Sequence, residues 1–198
     1  MIGLIDIGVG NVSSIKRSLL EIGVFPISVT NSRDLDLCTH LIFPGVGSFD
    51  KAISSIHKHD LFYPLIDFLH KPNKSYLGIC VGMHILYSHS EEGSMKGLSL
   101  FDSSVIRLTN TDGLALPTNY GFREFNYNTF EFVAATYYYM HSYGVSCYNH
   151  VPGSFTYYDN NFLGFISDDL NNWGAQFHPE RSSFQGLYFF RSFLGLSN

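Results

Sequence analysis

Cysteine is scarce in this chain. Cys38, Cys80 and Cys147 are odd in number and widely spaced, so no disulfide framework is expected and the thiols should be reduced. Positive charge is scarce too. Lys and Arg number 12 against 17 Asp and Glu, a net charge of −5, and no basic stripe offers to hold a polyanion, which excludes nucleic acid as an expected partner. Charged residues of both signs make up only 15% of the chain, too few for a coiled coil or a self-repelling disordered segment. Long apolar runs are missing as well. No stretch reaches the ~18 apolar residues of a membrane span. The start, MIGLIDIGVGNV, lacks the basic lead and small-residue cleavage site of a secretion signal. The expectation is a cytoplasmic protein with no membrane partner. Internal repeats and low-complexity linkers are absent.

What is present is a globular composition, 45% hydrophobic and 16% aromatic over 198 residues, enough for one domain, expected over 1–198. The first 90 residues alternate apolar runs with helical patterns, the signature of a parallel sheet flanked by helices. Strands are expected at 2–7, 25–29, 40–43 and 75–79. Asn11 is a good helix cap, Val12, Ile15, Leu19 and Ile22 recur with helical period, and Gly23 suits the helix end. Further helices are expected over 49–57, 61–69 and, starting after the fourth strand, 81–87. Beyond about Val105 the texture changes to short aromatic and β-branched runs at 130–134, 137–143, 155–158, 162–167 and 173–177, which read as short strands in a mixed or antiparallel region. An apolar helix over 184–194 closes the chain. The expected fold class is α/β: an open mixed, mostly parallel sheet flanked by helices, with a β-rich second half.

Residues 78–82 read GICVG. In open α/β sheets reactive groups collect at the carboxyl ends of strands, and here a cysteine sits where the fourth strand must turn sharply into a helix. Glycines two before and two after permit the tight approach of strand and helix, the form of a nucleophile elbow with Cys in place of Ser. A helix N-terminus beside Cys80 favours a thiolate. Taken alone, Cys80 reads equally well as a small core residue at a strand end.

A nucleophilic thiol needs a base, and the base an orienting group. The segment GAQFHPERS, 174–182, offers both. His178 and Glu180 leave the same side of an extended chain ~7 Å apart, and Pro179 biases His178 toward that conformation. A Glu side chain can span this gap and fix the imidazole tautomer. Acyl transfer also needs two donors where the oxyanion forms. FPGVGSF, 43–49, supplies a loop whose glycines let backbone N–H groups converge. The Val46 N–H is one candidate donor, and the Val81 N–H after the nucleophile is the other. By itself this segment reads more simply as an ordinary strand-to-helix turn.

The motifs GICVGMH, PGVGSF and QFHPE, in this order and spacing, resemble those of the class I (triad) glutamine amidotransferases. DIGVGNVSS at the start, together with the chain length, resembles within that family the glutaminase subunit of imidazole glycerol phosphate synthase. The resemblance spans nearly the whole chain and implies a flavodoxin-like sheet and no cofactor. It implies that Cys80 attacks the amide of L-glutamine, with His178 as base and then acid to the leaving ammonia, and Glu180 orienting His178. Val46 and Val81 would form the oxyanion hole. Glutamine would be held near Gly45, Gly47, His84, Glu92 and the segment His141, Ser142 and Tyr143. The ammonia would pass to a (β/α)8-barrel cyclase subunit docked over the site as a heterodimer, for imidazole glycerol phosphate and AICAR formation in histidine biosynthesis. Contacts to that partner would come from the loop of Gly8, Gly10 and Asn11, from Phe122, and from Arg181.

Two departures stand out. Position 84 is His where the family usually has Gln; an imidazole still donates or accepts a hydrogen bond, with altered pH dependence. Cys80 and His84 are four apart on one helix face, but no third and fourth ligands occur at zinc spacing, so no metal is expected. The segment LPTNYGFREF, 116–125, differs more: the histidine-pathway family has Val-Pro-His-Met-Gly-Trp-Asn at its partner interface. This chain keeps Pro117 and Gly121 with an extra residue between them and places Phe122 and Arg123 where Trp and Asn are expected. Relatives that feed ammonia to amidination of a surface-polysaccharide sugar through a cyclase-like paralogue keep the triad and drift there, which gives an alternative pathway. A stand-alone thiol hydrolase of similar fold is another reading. A catalytically silent docking subunit is a third, opposed by the intact Cys80, His178 and Glu180. GVGN at 8–11 lacks the third glycine of a dinucleotide fingerprint.

Overall fold

A computed structural model of the chain describes residues 1–125, 135–147 and 153–196. The first half runs β1 (Ile2–Ile5), α1 (Val12–Glu21), β2 (Ile27–Val29), α2 (Ser32–Asp36), β3 (His40–Phe43), α3 (Phe49–Lys58), α4 (Phe62–Leu69), β4 (Ser75–Ile79) and α5 (Val81–His84). The second half adds β5 (Tyr87–Ser90), β6 (Phe101–Arg107), β7 (Asn119–Phe125), β8 (Ala135–His141), β9 (Tyr143–Gly144), β10 (Ser154–Tyr157), β11 (Asn160–Leu163), β12 (Phe165–Ser167), β13 (Asn172–Ala175) and α6 (Ser183–Phe193), with a 3-10 turn at Pro179–Arg181. The main sheet has the order β12-β13-β4-β3-β1-β2. Its pairs are parallel except β12 with β13, which is antiparallel. This is the mostly parallel sheet with helices on its faces that the sequence pattern implies.

Strand alternation splits the core between the two faces. Ile5, Leu41, Phe43 and Tyr76 pack with Phe49, Ile53, Ile56 and Leu65 of α3 and α4. Leu4, Ile42, Leu77 and Ile79 pack with Ile15 and Leu19 of α1 and Phe189 and Phe190 of α6. Neighbouring residues of one strand thus bury themselves in opposite layers, as period-2 geometry requires. Helix α1 begins where expected: the Asn11 side chain accepts from the Ser14 N–H at 3.2 Å.

Several elements differ from the sequence expectation, each for a local reason. The helix expected over 81–87 stops at His84: the Tyr76 hydroxyl donates to the Gly82 carbonyl at 2.9 Å and the Leu86 N–H donates to the Met83 carbonyl instead, after which the Ile85 and Leu86 carbonyls accept from the Leu98 and Leu100 N–H groups, both at 2.7 Å. Tyr87–Ser90 then pairs in parallel with β6. The expected strand at 25–29 starts only at Ile27, after Pro26, which has no N–H to pair. The run 162–167 divides at Gly164, whose N–H turns to the Gly153 carbonyl at 2.7 Å, giving β11 and β12. The run 137–143 begins at Ala135 and divides at Ser142 into β8 and β9. α2, β6 and β7 were not expected; Asn31 caps α2 by accepting from the Arg33 and Asp34 N–H groups. The strand expected at 130–134 lies outside the described residues.

Chain order reverses between β3 and β1, so a crevice opens at the carboxyl ends of these strands and of β4 beside them. The Gly8–Asn11 loop, the Pro44–Gly47 loop, Cys80 and, from β13, His178 all emerge there.

Candidate active site

Cys80 has φ 50° and ψ −106°, a conformation that L side chains rarely adopt and that a tight elbow imposes. Its N–H is tied to the Ala175 carbonyl at 2.6 Å, and its own carbonyl starts α5 by accepting from the Met83 and His84 N–H groups. The flanking glycines have a steric cause. A Cβ at Gly78 would run into the Gly82 carbonyl, and one at Gly82 would sit 2.5 Å from the Phe43 carbonyl oxygen. The strand and the turn therefore touch backbone to backbone, and the cysteine is held at the summit, 7% exposed.

The Pro44–Gly47 loop docks on this elbow with the same intimacy. A Cβ at Gly45 would overlap the Ile79 carbonyl and lie 2.9 Å from the Val81 nitrogen. Gly47 has φ 129°, which glycine alone adopts readily. From the other side Gly10 donates its N–H to the Val46 carbonyl at 3.1 Å. Val46 and Val81 are thus neighbours on one wall, and the Val81 N–H, at the first position of the turn, lies ahead of the first intrahelical bond.

His178 follows β13 in an extended conformation, φ −104° and ψ 94°. Beyond it the chain does not stay extended as the sequence suggests: Pro179 opens the 3-10 turn, and Glu180 reaches back from that turn. His178 Nδ1 and Glu180 Oε1 are 2.8 Å apart with both side chains buried. The backbone is fixed by the Tyr138 carbonyl, which accepts from the His178 N–H, and by Ser182, whose hydroxyl donates to the His178 carbonyl and accepts from the Tyr138 N–H. With Nδ1 on the carboxylate, Nε2 is buried and has no hydrogen-bond partner. Burial opposes a charge on His178, but the Cys80 sulfur and the Glu180 carboxylate outweigh it and raise its pKa to about 10. The pair is arranged to hold a proton on the imidazole.

A cavity of about 270 Å³ opens over Cys80. Gly45, Val46 and Gly47 form one wall, with Cys80, Val81 and His84 beneath. Glu92, Ser142 and Tyr143 also line it, so every residue the sequence nominated for substrate lines one cavity. Glu92 is anchored by accepting from the Phe49 N–H at the start of α3, 2.9 Å. Thr118, Met140 and His141 complete the lining. Thr118 and Met140 were not anticipated as lining residues: Thr118 stands in the divergent segment 116–125 and meets the Ser142 hydroxyl, 2.7 Å away, and Met140 directly precedes His141. Gln176 was also missed as a site residue, although it stands in QFHPE; it lies between His84 and Cys80.

The residues nominated for a partner surround the mouth. Gly8 and Asn11 are exposed on the loop that holds Val46. Phe122, 52% exposed, packs on Tyr138. Arg181 covers the same Tyr138 ring at 4.2 Å, with Nη1 3.7 Å from the sulfur of Met140. No group of three or more His, Cys, Asp or Glu able to hold a metal occurs among the described residues. No described helix is long and apolar enough to cross a membrane.

His84 and His141 are neutral. Burial lowers the His84 pKa to about 4 against the opposing hydrogen bond to Gln176. Burial, together with the nearby His84 and His178, lowers that of His141 to about 3. The His141 tautomer follows from its partners: Nδ1–H donates to the Tyr143 carbonyl at 2.7 Å, and Nε2 accepts from the Asn119 amide at 3.0 Å. Between pH 6.5 and 5 the unfolded chain therefore binds more protons at these two positions than the folded one, so stability falls with pH across that window. The expected loss is about 2 kcal/mol for each histidine. His178, with its raised pKa, contributes stability that is fully present below 6.5 and is lost only toward pH 10. Urea midpoints at pH 6.5 and 5 should therefore drop sharply, and His84→Gln should remove about half of the drop; equal drops in both proteins would contradict the assignment.

A sharp cysteine turn at the carboxyl end of a central parallel strand, a histidine–carboxylate pair beside it and a glycine loop over it define an acyl-transfer site of the amidotransferase kind. The sequence model of the family "Glutamine amidotransferase class-I" matches residues 3–195, and the chain belongs to that family of enzymes. More particularly, it is 35% identical to the imidazole glycerol phosphate synthase subunit HisH 2 of Methanococcus maripaludis, over 98% of both chains. It is 32% identical to the imidazole glycerol phosphate synthase subunit HisH of Leptospira interrogans, over 99% of this chain and 100% of that one. Among solved structures, a glutamine amidotransferase aligns with TM-score 0.73 at 14% identity, over 98% of this chain and 99% of its own. The structure of PurLQS from Thermotoga maritima aligns with TM-score 0.70 at 18% identity, over 98% and 97%. These likenesses support the fold.

Proposed function

We propose that this chain is the glutaminase subunit of an imidazole glycerol phosphate synthase, hydrolysing L-glutamine to glutamate and ammonia through Cys80, His178 and Glu180. The Cys80 thiolate attacks the side-chain carboxamide carbon, forming the S–C bond and an oxyanion that the Val46 and Val81 N–H groups receive. Protonated His178 gives its proton to the nitrogen as the C–N bond breaks and ammonia leaves. His178, neutral again, takes a proton from water, which cleaves the thioester and restores the thiolate. Glu180 keeps the imidazole in the tautomer that presents Nε2 and stabilises its charge. Glu92 is suited to the substrate ammonium, and Ser142 and Tyr143 to its polar end. The ammonia then passes to a (β/α)8-barrel cyclase subunit docked on the rim formed by Gly8, Gly10, Asn11, Phe122 and Arg181.

The observation that carries the reading is the strained Cys80 elbow sharing one cavity with the Gly45–Gly47 loop, backed by the buried His178–Glu180 pair. The test is ammonia release from glutamine by the chain alone and with a histidine-pathway cyclase subunit loaded with its nucleotide substrate. Covalent labelling of Cys80 by a glutamine-mimicking diazoketone is followed in parallel. Labelling with strong stimulation by the cyclase is the expected result. Labelling without stimulation would refute the partner, and no labelling would refute the glutaminase.

A further inference from the structure

Gln176 is fully buried directly after β13, with its main-chain N–H committed to the Gly164 carbonyl at 2.8 Å. Its side chain spans the gap between two residues of the elbow. Oε1 is 2.7 Å from His84 Nε2, and Nε2 is 3.7 Å from the Cys80 sulfur. Neither end of the amide is free to choose its direction. A thiolate has only lone pairs to offer, so the NH2 end must face the sulfur, and Oε1 must then face a donor. A buried neutral imidazole carries one N–H, and with that proton on Nε2 His84 is that donor. A glutamine at position 84 would offer both a donor and an acceptor and would fix neither orientation. An imidazole with its proton on Nε2 fixes one.

We propose that His84 and Gln176 form a relay onto the nucleophile, in which His84 Nε2–H locks the Gln176 amide so that its NH2 group donates to the Cys80 sulfur and favours the thiolate. Gln176, touching the reacting atom, is a catalytic residue in this scheme, and His84 is a positioning residue. This gives His84 Nε2 a role inside the protein, while the ring still lines the cavity. The inference rests on the reading of Cys80 as the attacking sulfur.

The test uses the full chain and reads the sulfur directly. Alkylation of Cys80 by iodoacetamide is followed by peptide mass spectrometry from pH 5 to 10, alongside kcat and KM for glutamine in the cyclase complex. The group beside the sulfur that titrates in this range is His178, which Glu180 holds at Nδ1, whereas His84 and His141 stay neutral over it. Gln176→Met keeps the volume without a donor, and the near-isosteric Gln176→Glu turns an acceptor to the sulfur. Both should alkylate at least ~10-fold more slowly at pH 7 and show a midpoint about one pH unit higher. Both should lose kcat with KM within about 2-fold. His84→Phe should show a smaller loss of the same kind, which His84→Gln restores at least in part through its own donor. An unchanged alkylation profile in both Gln176 variants would overturn the relay, as would a His84→Phe defect confined to KM. Should Gln176→Met fold poorly, the thermal midpoint exposes it and Gln176→Glu decides. Alkylation needs no glutamine, so the relay can fail while the glutaminase stands, and an absence of diazoketone labelling in the unaltered chain marks the reverse.

Discussion

Replacing Cys80 with alanine is expected to lower ammonia release in the assembled complex by about 10⁴-fold or more, with the Kd for glutamine changed by no more than about 3-fold. Among the described residues Cys80 is the one thiol that lines the cavity, while the binding surfaces come from other elements. Glu92 is held by α3, the segment 142–143 follows β8, and the glycine loop follows β3. Triad members act as a unit, so adding His178→Ala to Cys80→Ala should cost little more, although His178→Ala alone should be severe. A base without a nucleophile has no thiol to serve. Glutamate-dehydrogenase-coupled ammonia assays give the rates, and calorimetric titration with glutamine gives the Kd. Release within 10-fold of the unaltered protein would refute the covalent route and favour direct attack by water.

The parallel core was readable because its signals are local. Alternating runs such as HLIF at 40–43 and SYLGI at 75–79, the Asn11 cap and the terminal Gly23 each belong to one short segment, and each element formed where its segment stood. What escaped was decided by distant partners. Nothing within 81–87 announces that the Ile85 and Leu86 carbonyls will be taken by N–H groups beyond residue 97. The segment 119–125, with Tyr120 and Phe122 exposed, makes a strand only because 135–141 lies opposite in register. Short strands paired far along the chain carry weak propensity, and their existence depends on tertiary context.

The site divides in the same way. Cys80, His178, Val46 and Val81 were readable because glycines and a proline mark sharp backbone, and sharp backbone at a strand's carboxyl end is where chemistry collects. The route by which Glu180 arrives was not legible: an extended chain is what His-Pro-Glu suggests, whereas the fold sets the pair across a 3-10 turn. Thr118, Met140 and Gln176 carry no such punctuation. Gln176 is informative only when the direction of its amide is known, and that depends on His84, 92 positions away in sequence. His84 itself was visible as a departure from the family pattern, but its partner was not.

Gly45→Ala is expected to be the most damaging single-methyl change in the molecule. The new Cβ would overlap the Ile79 carbonyl and press on the Val81 nitrogen. Both are backbone, so neither can rotate away as a side-chain tip could. The only relief is to lift the Pro44–Gly47 loop off the elbow, which costs about 3 kcal/mol as overpacking of rigid atoms. For a chain of this size that corresponds to a melting midpoint lowered by about 10 °C. The same displacement parts the Val46 and Val81 N–H groups, so the remaining folded protein should lose about 10²- to 10³-fold in kcat, the worth of one oxyanion donor. Gly23→Ala separates this steric effect from the general cost of replacing a glycine. Gly23 has φ 78° with nothing within 4 Å of its Cβ position, so it should cost about 1 kcal/mol of backbone strain and leave kcat unchanged. Differential scanning fluorimetry and the ammonia assay on both variants decide the matter. If Gly45→Ala melted within about 2 °C of the unaltered protein and kept its kcat, the loop could leave the elbow freely. Its contact with Cys80's turn would then have no part in forming the oxyanion site.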